Sequence, residues 1–170
     1  MSLTLSKLTE KEGVFFGVLE NGRDRFQNFD AIGLYINVLP MIAHVDHQDM
    51  GAFLRQQSDQ YYKLARNSYY PFVPLSQEYD ISPTILFQFF PNWLVDEETE
   101  DHFEGKEWMV NMILKTMTDL LVESLTEVDE TKDGYRLRIF YSGYYSRKMM
   151  IRLADTYQET ISQIMDSIKE

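Results

Sequence analysis

The sequence predicts an α/β fold in which a mixed β-sheet is covered by two long helices. Short apolar runs rich in β-branched and aromatic residues are typical of strands, and two long stretches carry apolar residues at helical spacing. These segments do not follow the regular strand–helix alternation of a doubly wound fold. The 170 residues suit a single domain.

The beginning of the chain predicts a short helix followed by two strands. Three leucines within residues 3–8 are typical of the end of a helix, and the apolar run at 14–19 predicts a buried strand. A second apolar run covers residues 32–45 and contains Pro40. Because proline cannot donate to a central ladder, this strand is expected at a sheet edge or at a bulge.

The middle of the chain predicts the first long helix and a third strand. Asp49 is a plausible N-cap, and the following apolar residues fall mostly on one helical face up to about Asn67. Three prolines within residues 71–83 predict a structured loop. Residues 84–90 form the strongest strand pattern in the sequence.

The last third predicts a hairpin and the second long helix. Residues 96–107 are acidic and predict a solvated loop. Residues 108–114 fit either a strand or a helix, and we expect a strand. Two alternating runs, 120–128 and 135–141, are separated by a segment that ends in Asp-Gly, which is a strong hairpin signal. A helix is expected over 146–168.

Composition excludes several functional classes. The net charge is −11, which argues against a protein that tracks nucleic-acid phosphates or binds an anionic membrane surface. The absence of cysteine excludes disulfides, a thiol nucleophile and thiolate metal sites. No run approaches the roughly 20 apolar residues of a membrane span, and the N-terminus does not resemble a signal peptide. We therefore expect a cytoplasmic protein.

Motifs for independent catalysis are absent from the sequence, which contains neither a Gly-x-Ser-x-Gly elbow nor a phosphate-binding glycine loop. His44 and His47, with Asp46 and Asp49 nearby, leave open a metal site on a bent loop. We favour the simpler interpretation that these residues are polar and lead into a helix. His102 is interpreted as a surface residue, and no metal site is predicted.

Several segments resemble motifs of nonribosomal peptide synthetase condensation domains, in the order in which that family has them. Residues 32–40 (Ile-Gly-Leu-Tyr-Ile-Asn-Val-Leu-Pro) resemble the family motif (Ile/Val)-Gly-x-Phe-Val-Asn-Thr-Leu-Pro. The further similar segments are the Gly-Arg turn after the first strand (14–23), the Tyr-Pro-Phe element (69–75), the Asp-x-Ser and Leu-Phe-Gln elements (80–88), and the last strand and helix (134–157).

The resemblance implies that residues 1–170 form one half-domain with a chloramphenicol-acetyltransferase-like fold, namely the C-terminal subdomain of a condensation-type acyltransferase. The family joins carrier-bound aminoacyl or peptidyl thioesters into amides, and its chemistry centres on a His-His-x-x-x-Asp-Gly motif in the N-terminal half. This sequence has no adjacent His pair. By resemblance, the chain supplies a channel wall and a carrier-docking surface, contributes no catalytic residue, and is inactive alone.

The resemblance also implies partners and site residues. Asn37 matches the motif Asn that faces the reaction channel, although an Asn within an apolar strand can equally satisfy nearby backbone groups. The partners are the N-terminal half and carrier proteins bearing phosphopantetheine, so this chain itself binds no cofactor. Carrier docking needs a local basic surface, for which the candidates are Arg136, Arg138, Arg147, Lys148 and Arg152.

The sequence departs from the family pattern at several positions. Val38 replaces the motif Thr, Val73 the Glu after Pro-Phe, and Tyr79 and Pro83 two motif arginines. Starter, epimerisation, ester-forming and free-standing acyltransferase branches therefore stay open. So does a non-catalytic interaction module derived from such a half-domain. In either case a face built to meet another half predicts an exposed apolar patch and self-association as a two-fold dimer.

Overall fold

The computed structural model describes residues 1–22, 35–46, 49–91 and 121–169, together with Asn111, Lys115 and Met117. The helices described are α1 (Ser2–Thr9), α2 (Met50–Arg66), α3 (Phe72–Tyr79) and α4 (Arg147–Lys169). The strands are β1 (Gly13–Asn21), β2 (Ile36–His44), β3 (Ile85–Phe90), β4 (Ser124–Thr131) and β5 (Gly134–Tyr141). The α/β class and the mixed sheet with two long helices, α2 and α4, are confirmed.

The five strands form one sheet in the order β2-β1-β3-β4-β5. The three central strands, β1, β3 and β4, are parallel, whereas β2 and β5 pair antiparallel at the two edges. Lys132 and Asp133 form the turn of the β4–β5 hairpin, and Gly134 has a φ of 145° that favours glycine. The predicted Asp-Gly hairpin is therefore confirmed.

Strand β2 lies at an edge, as Pro40 predicted. The β1–β2 ladder is flanked by hydrogen bonds from Val45 N to Glu12 O and from Gly22 N to Tyr35 O. Because hydrogen-bonded and non-hydrogen-bonded pairs alternate in an antiparallel ladder, the backbone groups of Pro40 point away from β1. The missing N–H of this proline therefore leaves the ladder intact.

Helices α1, α2 and α4 cover one face of the sheet. The core between these layers contains the buried residues Leu3, Leu5, Val14, Phe16, Met41, Ala43, Val45 and Phe53. The α2 helix begins as predicted, because the Asp49 carboxylate accepts a hydrogen bond of 2.8 Å from Ala52 N. Tyr157 of α4 contacts the ring of Phe87 in β3, which fixes α4 over the centre of the sheet.

A second, smaller core lies on the opposite face of the sheet. It contains Leu86, Met117, Val122, Leu125 and Phe140. Gly17 of β1 permits close packing here, because a Cβ atom at this position would lie 2.6 Å from Leu86 Cδ2 and 2.8 Å from Val38 Cγ1.

Two sequence predictions differ from the structure. The predicted proline-rich loop contains helix α3, which begins after Pro71 and carries Pro74 in its first turn. Proline is compatible with these positions, since the first-turn N–H groups have no intrahelical partner. The strand predicted over 108–114 is described only at Asn111, where the backbone is helical, so that prediction is wrong there. The acidic segment 96–107 lies outside the described residues.

Among the residues that the structure describes, none of the helices combines the length and the apolar character needed to cross a membrane.

Candidate functional site

A crevice opens where the parallel strands β1 and β3 separate. Their register ends at the pair Val18 and Phe87, although β1 continues to Asn21 and β3 to Phe90. The space between the two carboxyl ends has a volume of about 450 Å³, within the range of ligand pockets. We call it the β1–β3 crevice; it is lined by Met1, Phe16, Val18, Leu19, Glu20, Asn21, Tyr61, Phe87, Gln88, Phe89, Phe90 and Pro91.

The position of the β1–β3 crevice follows from the strand order. The connection that leaves β1 leads to β2 on one side, whereas the connection that leaves β3 leads to β4 on the other side. Open sheets with parallel strands bind ligands in crevices at the carboxyl ends of their strands. The crevice is therefore the candidate functional site. Residue patterns alone did not reveal it, because the site depends on which strands become neighbours.

The β1–β3 crevice is largely apolar and contains few polar groups. Glu20 at the end of β1 accepts a hydrogen bond of 2.6 Å at Oε2 from the hydroxyl of Tyr61 on α2. Gln88 of β3 is 6% exposed and lies on the other side of the opening.

Asn37 connects β2 to the segment between α2 and α3. Its amide nitrogen donates to the carbonyl oxygens of Ser68, at 2.7 Å, and Tyr70, at 2.8 Å. Its oxygen accepts from Phe72 N at 3.2 Å and from Val38 N at 2.9 Å. All four hydrogen-bonding positions of the side chain are therefore used within the chain. This arrangement corresponds to the backbone-satisfying role that the sequence left open, and the channel-lining role stays a prediction.

The predicted basic residues do not form a single surface. Arg138 lies on β5, opposite Glu127 of β4, and its guanidinium is 3.3 Å from that carboxylate and 2.7 Å from Asp129. Its charge is therefore paired within the sheet, and its docking role stays a prediction. Arg136 is exposed near the hairpin end of β5. The other three, Arg147, Lys148 and Arg152, are exposed together on the first turns of α4.

The carboxylates beside Arg138 are strongly buried. The side chains of Glu127 and Asp129 are 9% and 8% exposed. Burial raises the pKa of Glu127, while the Arg138 guanidinium opposes the rise and the neighbouring Asp129 adds to it. Burial also raises the pKa of Asp129, against the opposing charges of Arg138 and Arg136. This cluster links β4 to β5, and the sequence analysis did not identify it.

The residues considered for a metal site are dispersed or outside the described part of the chain. His44 lies 3.5 Å from Glu12, and both side chains are largely exposed. His47 and His102 are outside the described residues. Among the residues that are described, no three His, Asp or Glu side chains converge on one point.

The comparisons with known proteins agree with the resemblance seen in the sequence. Residues 1–170 match the Condensation domain family. Two similar solved structures are the epimerization domain from the third module of tyrocidine synthetase B and the condensation domain from the monacolin K polyketide synthase. No match was found among the curated proteins with which the sequence was compared.

The structural similarity extends over nearly the whole chain. The epimerization domain has a TM-score of 0.62 at 16% identity, covering 98% of this chain and 40% of that one. The polyketide synthase condensation domain has a TM-score of 0.69 at 13% identity, covering 95% of this chain and 38% of that one. This chain thus spans about two fifths of the length of these relatives and shares their fold. With a family match over all its residues, the chain belongs to the condensation-domain family.

Proposed function

We propose that this chain is the C-terminal subdomain of a condensation-type domain that forms amide bonds between carrier-bound aminoacyl or peptidyl thioesters. The observation that supports this most is the family match over 1–170 in a chain spanning 40% of a solved relative. In this proposal the chain contributes a channel wall and a docking surface for carrier proteins. The catalytic histidine comes from an N-terminal half.

The proposed reaction needs a group that this chain does not supply. An amine nitrogen attacks the thioester carbonyl carbon, a C–N bond forms, the C–S bond breaks, and the nitrogen loses a proton as the thiol leaves. A general base must lie within hydrogen-bond reach of that nitrogen. The sequence has three histidines, none adjacent to another, whereas the motif that the family uses begins with a His pair.

The carrier-docking surface in this proposal is the start of α4. Arg147, Lys148 and Arg152 are exposed here, and Met149 and Ile151 between them are 45% and 52% exposed. A basic surface with apolar residues suits an acidic carrier protein, because complementary charge accelerates encounter and apolar contact prolongs binding. The same cations fit the phosphate of a phosphopantetheine arm, which belongs to the carrier.

Charge reversal tests the docking surface. In the doubly substituted variant Lys148→Glu, Arg152→Glu, we expect carrier association to slow at least about tenfold, with a weaker dependence on ionic strength. The matched control is Arg55→Glu, Lys63→Glu, which makes the same change of charge at two exposed positions of α2. Equal effects of the two changes on association with an aminoacyl carrier would place docking elsewhere.

Co-expression tests the catalytic assignment. The chain is produced with a half-domain that carries His-His-x-x-x-Asp-Gly, and amide formation is measured with two loaded carrier proteins. We expect product only when both halves are present. Amide formation by this chain alone at the same rate would refute the proposal. Stable association of the halves without any product would favour the interaction module instead.

The predicted self-association is tested separately. Sedimentation velocity of the isolated chain over a concentration series should show a dimer that dissociates on dilution, and the added N-terminal half should displace it. A strict monomer at high concentration would contradict the prediction.

A further inference from the structure

We propose that the β1–β3 crevice binds a small apolar amine, whose cationic head group pairs with the Glu20 carboxylate while its body lies against the aromatic side chains. This binding property goes beyond the proposed function, because it concerns the isolated chain and needs neither the N-terminal half nor a carrier protein.

The lining of the β1–β3 crevice favours an apolar ligand body. Most of its residues are aliphatic or aromatic, and Phe16, Phe87, Phe89 and Tyr61 contribute rings from β1, β3 and α2. Phe89 is also 46% exposed although it lies in a strand, and its ring contacts that of Tyr135 at 6.5 Å. Aromatic faces additionally attract cations, because the ring quadrupole places negative charge on the face.

The charge of the crevice favours a cationic head group. Among the described residues that line the crevice, Glu20 carries the one charged side chain, and none of them is a lysine or an arginine. One of its carboxylate oxygens, Oε2, accepts from Tyr61, and this hydrogen bond fixes the carboxylate at the mouth of the crevice. A carboxylate at the edge of an apolar site binds an ammonium group by a charge-assisted hydrogen bond, and it disfavours an anionic ligand.

A second cavity lies on the other side of Glu20 and contains a positively charged residue. It has a volume of about 260 Å³ and is lined by Arg66 as well as by Glu20. Within the described part of the chain the two side chains form no ion pair, and Arg66 is exposed, so that solvent screens its charge. The Glu20 carboxylate therefore keeps its attraction for a cation in the crevice.

The position of the crevice, like its composition, supports the binding of a ligand. It opens at the carboxyl ends of the parallel strands β1 and β3, and the carboxyl ends of parallel strands are where open sheets bind ligands. The sheet pairs β1 with β3 up to Val18 and Phe87, so the crevice begins directly beyond this pair.

Three ligands of the same shape test the proposal on the full chain by titration calorimetry. Tryptamine carries the amine, tryptophol replaces it with a hydroxyl, and indole-3-acetate carries a carboxylate. We expect tryptamine to bind at least about tenfold more tightly than tryptophol, and indole-3-acetate not to bind measurably, since a charged hydrogen bond contributes a factor of this size.

A matched pair of variants tests whether the Glu20 carboxylate causes the preference for the amine. Glu20→Gln should weaken the binding of tryptamine at least about tenfold and leave the affinity for tryptophol unchanged. Glu12→Gln removes an exposed carboxylate just before β1 and should change neither affinity. Equal affinities for the three ligands, equal effects of the two variants, or no binding of tryptamine to the folded chain would each overturn the proposal. None of these results depends on amide formation, so failure here is distinct from failure of the proposed function.

Discussion

Arg138 provides the sharpest test of how the sheet is stabilised. In the variant Arg138→Met, the carboxylates of Glu127 and Asp129 remain buried without their counterion. Coulomb's law with an effective dielectric constant of about 20 gives roughly 6 kcal/mol for the 2.7 Å contact and roughly 5 kcal/mol for the 3.3 Å contact. Relief of the desolvation of Arg138 offsets part of this, so the expected net loss is about 3–5 kcal/mol.

Protonation of the carboxylates limits that loss. At pH 7, neutralising Glu127, with an ordinary pKa of 4.5, costs about 3 kcal/mol, and neutralising Asp129, with an ordinary value of 3.8, costs about 4 kcal/mol. At pH 5 the same costs are only about 1 and about 2 kcal/mol. We therefore expect the destabilisation by Arg138→Met to shrink by about 2 kcal/mol between pH 7 and pH 5.

The direction of this pH dependence follows from the linkage between protonation and folding. A carboxyl whose pKa is raised in the folded state holds its proton more tightly there than in the unfolded state. Its contribution to stability is therefore present at low pH and falls as the pH rises through the raised pKa. Without Arg138, which opposes the rise, this fall extends to higher pH.

Urea unfolding of wild type and variant, followed by far-ultraviolet circular dichroism at both pH values, measures the effect. Arg55→Met is the control, because Arg55 is exposed on α2 and its loss should cost less than about 1 kcal/mol. Adding Asp129→Asn to Arg138→Met should restore part of the stability at pH 7. A loss that is the same at both pH values, or larger at pH 5, would refute the reasoning.

Three further predictions concern single contacts. Asn37→Ala should lower the free energy of unfolding by about 1–3 kcal/mol and accelerate amide exchange in the connection after α2, whereas Asn67→Ala, which removes one exposed hydrogen bond, should cost less than about 1 kcal/mol. Tyr145 donates a hydrogen bond to the Glu123 carboxylate, and burial raises the pKa of its hydroxyl to about 12. A spectrophotometric titration should show this ionisation in wild type and not in Tyr145→Phe, and the free energy of unfolding of wild type should fall as the pH rises from 10 to about 12. Gly17→Ala should cost about 1–3 kcal/mol in urea unfolding because the added Cβ meets neighbouring atoms at 2.6 Å, whereas Gly143→Ala, with no atom within 4 Å, should be nearly neutral.

The fold was predictable where local patterns decide the structure. Apolar periodicity, the Asp49 cap and the Asp-Gly turn each act within a few residues, and the structure confirms α2, α4 and the β4–β5 hairpin. Helix α3 was missed because proline was read as a helix breaker, although it is tolerated in the first turn.

The candidate site was less predictable, because it depends on contacts between distant segments. The sequence marked Arg138 as basic but gave no sign that Glu127 and Asp129 would lie beside it, since that requires the β4–β5 register. Glu20 and Gln88 belong to different motifs and meet only because β1 and β3 are neighbours. Asn37 was identified by resemblance. Its hydrogen bonds could not be predicted, because they reach the carbonyl groups of Ser68 and Tyr70, which are distant in the sequence.

The outer border of β2 has a consequence for how copies of this chain can meet. An exposed strand border normally offers a row of N–H donors to a second chain. Here Pro40 has no donor to offer, and the outward N–H of Val38 is already bonded to the side chain of Asn37. Two neighbouring outward positions of β2 therefore offer no N–H donor to a second chain, which disfavours strand-to-strand growth across this border.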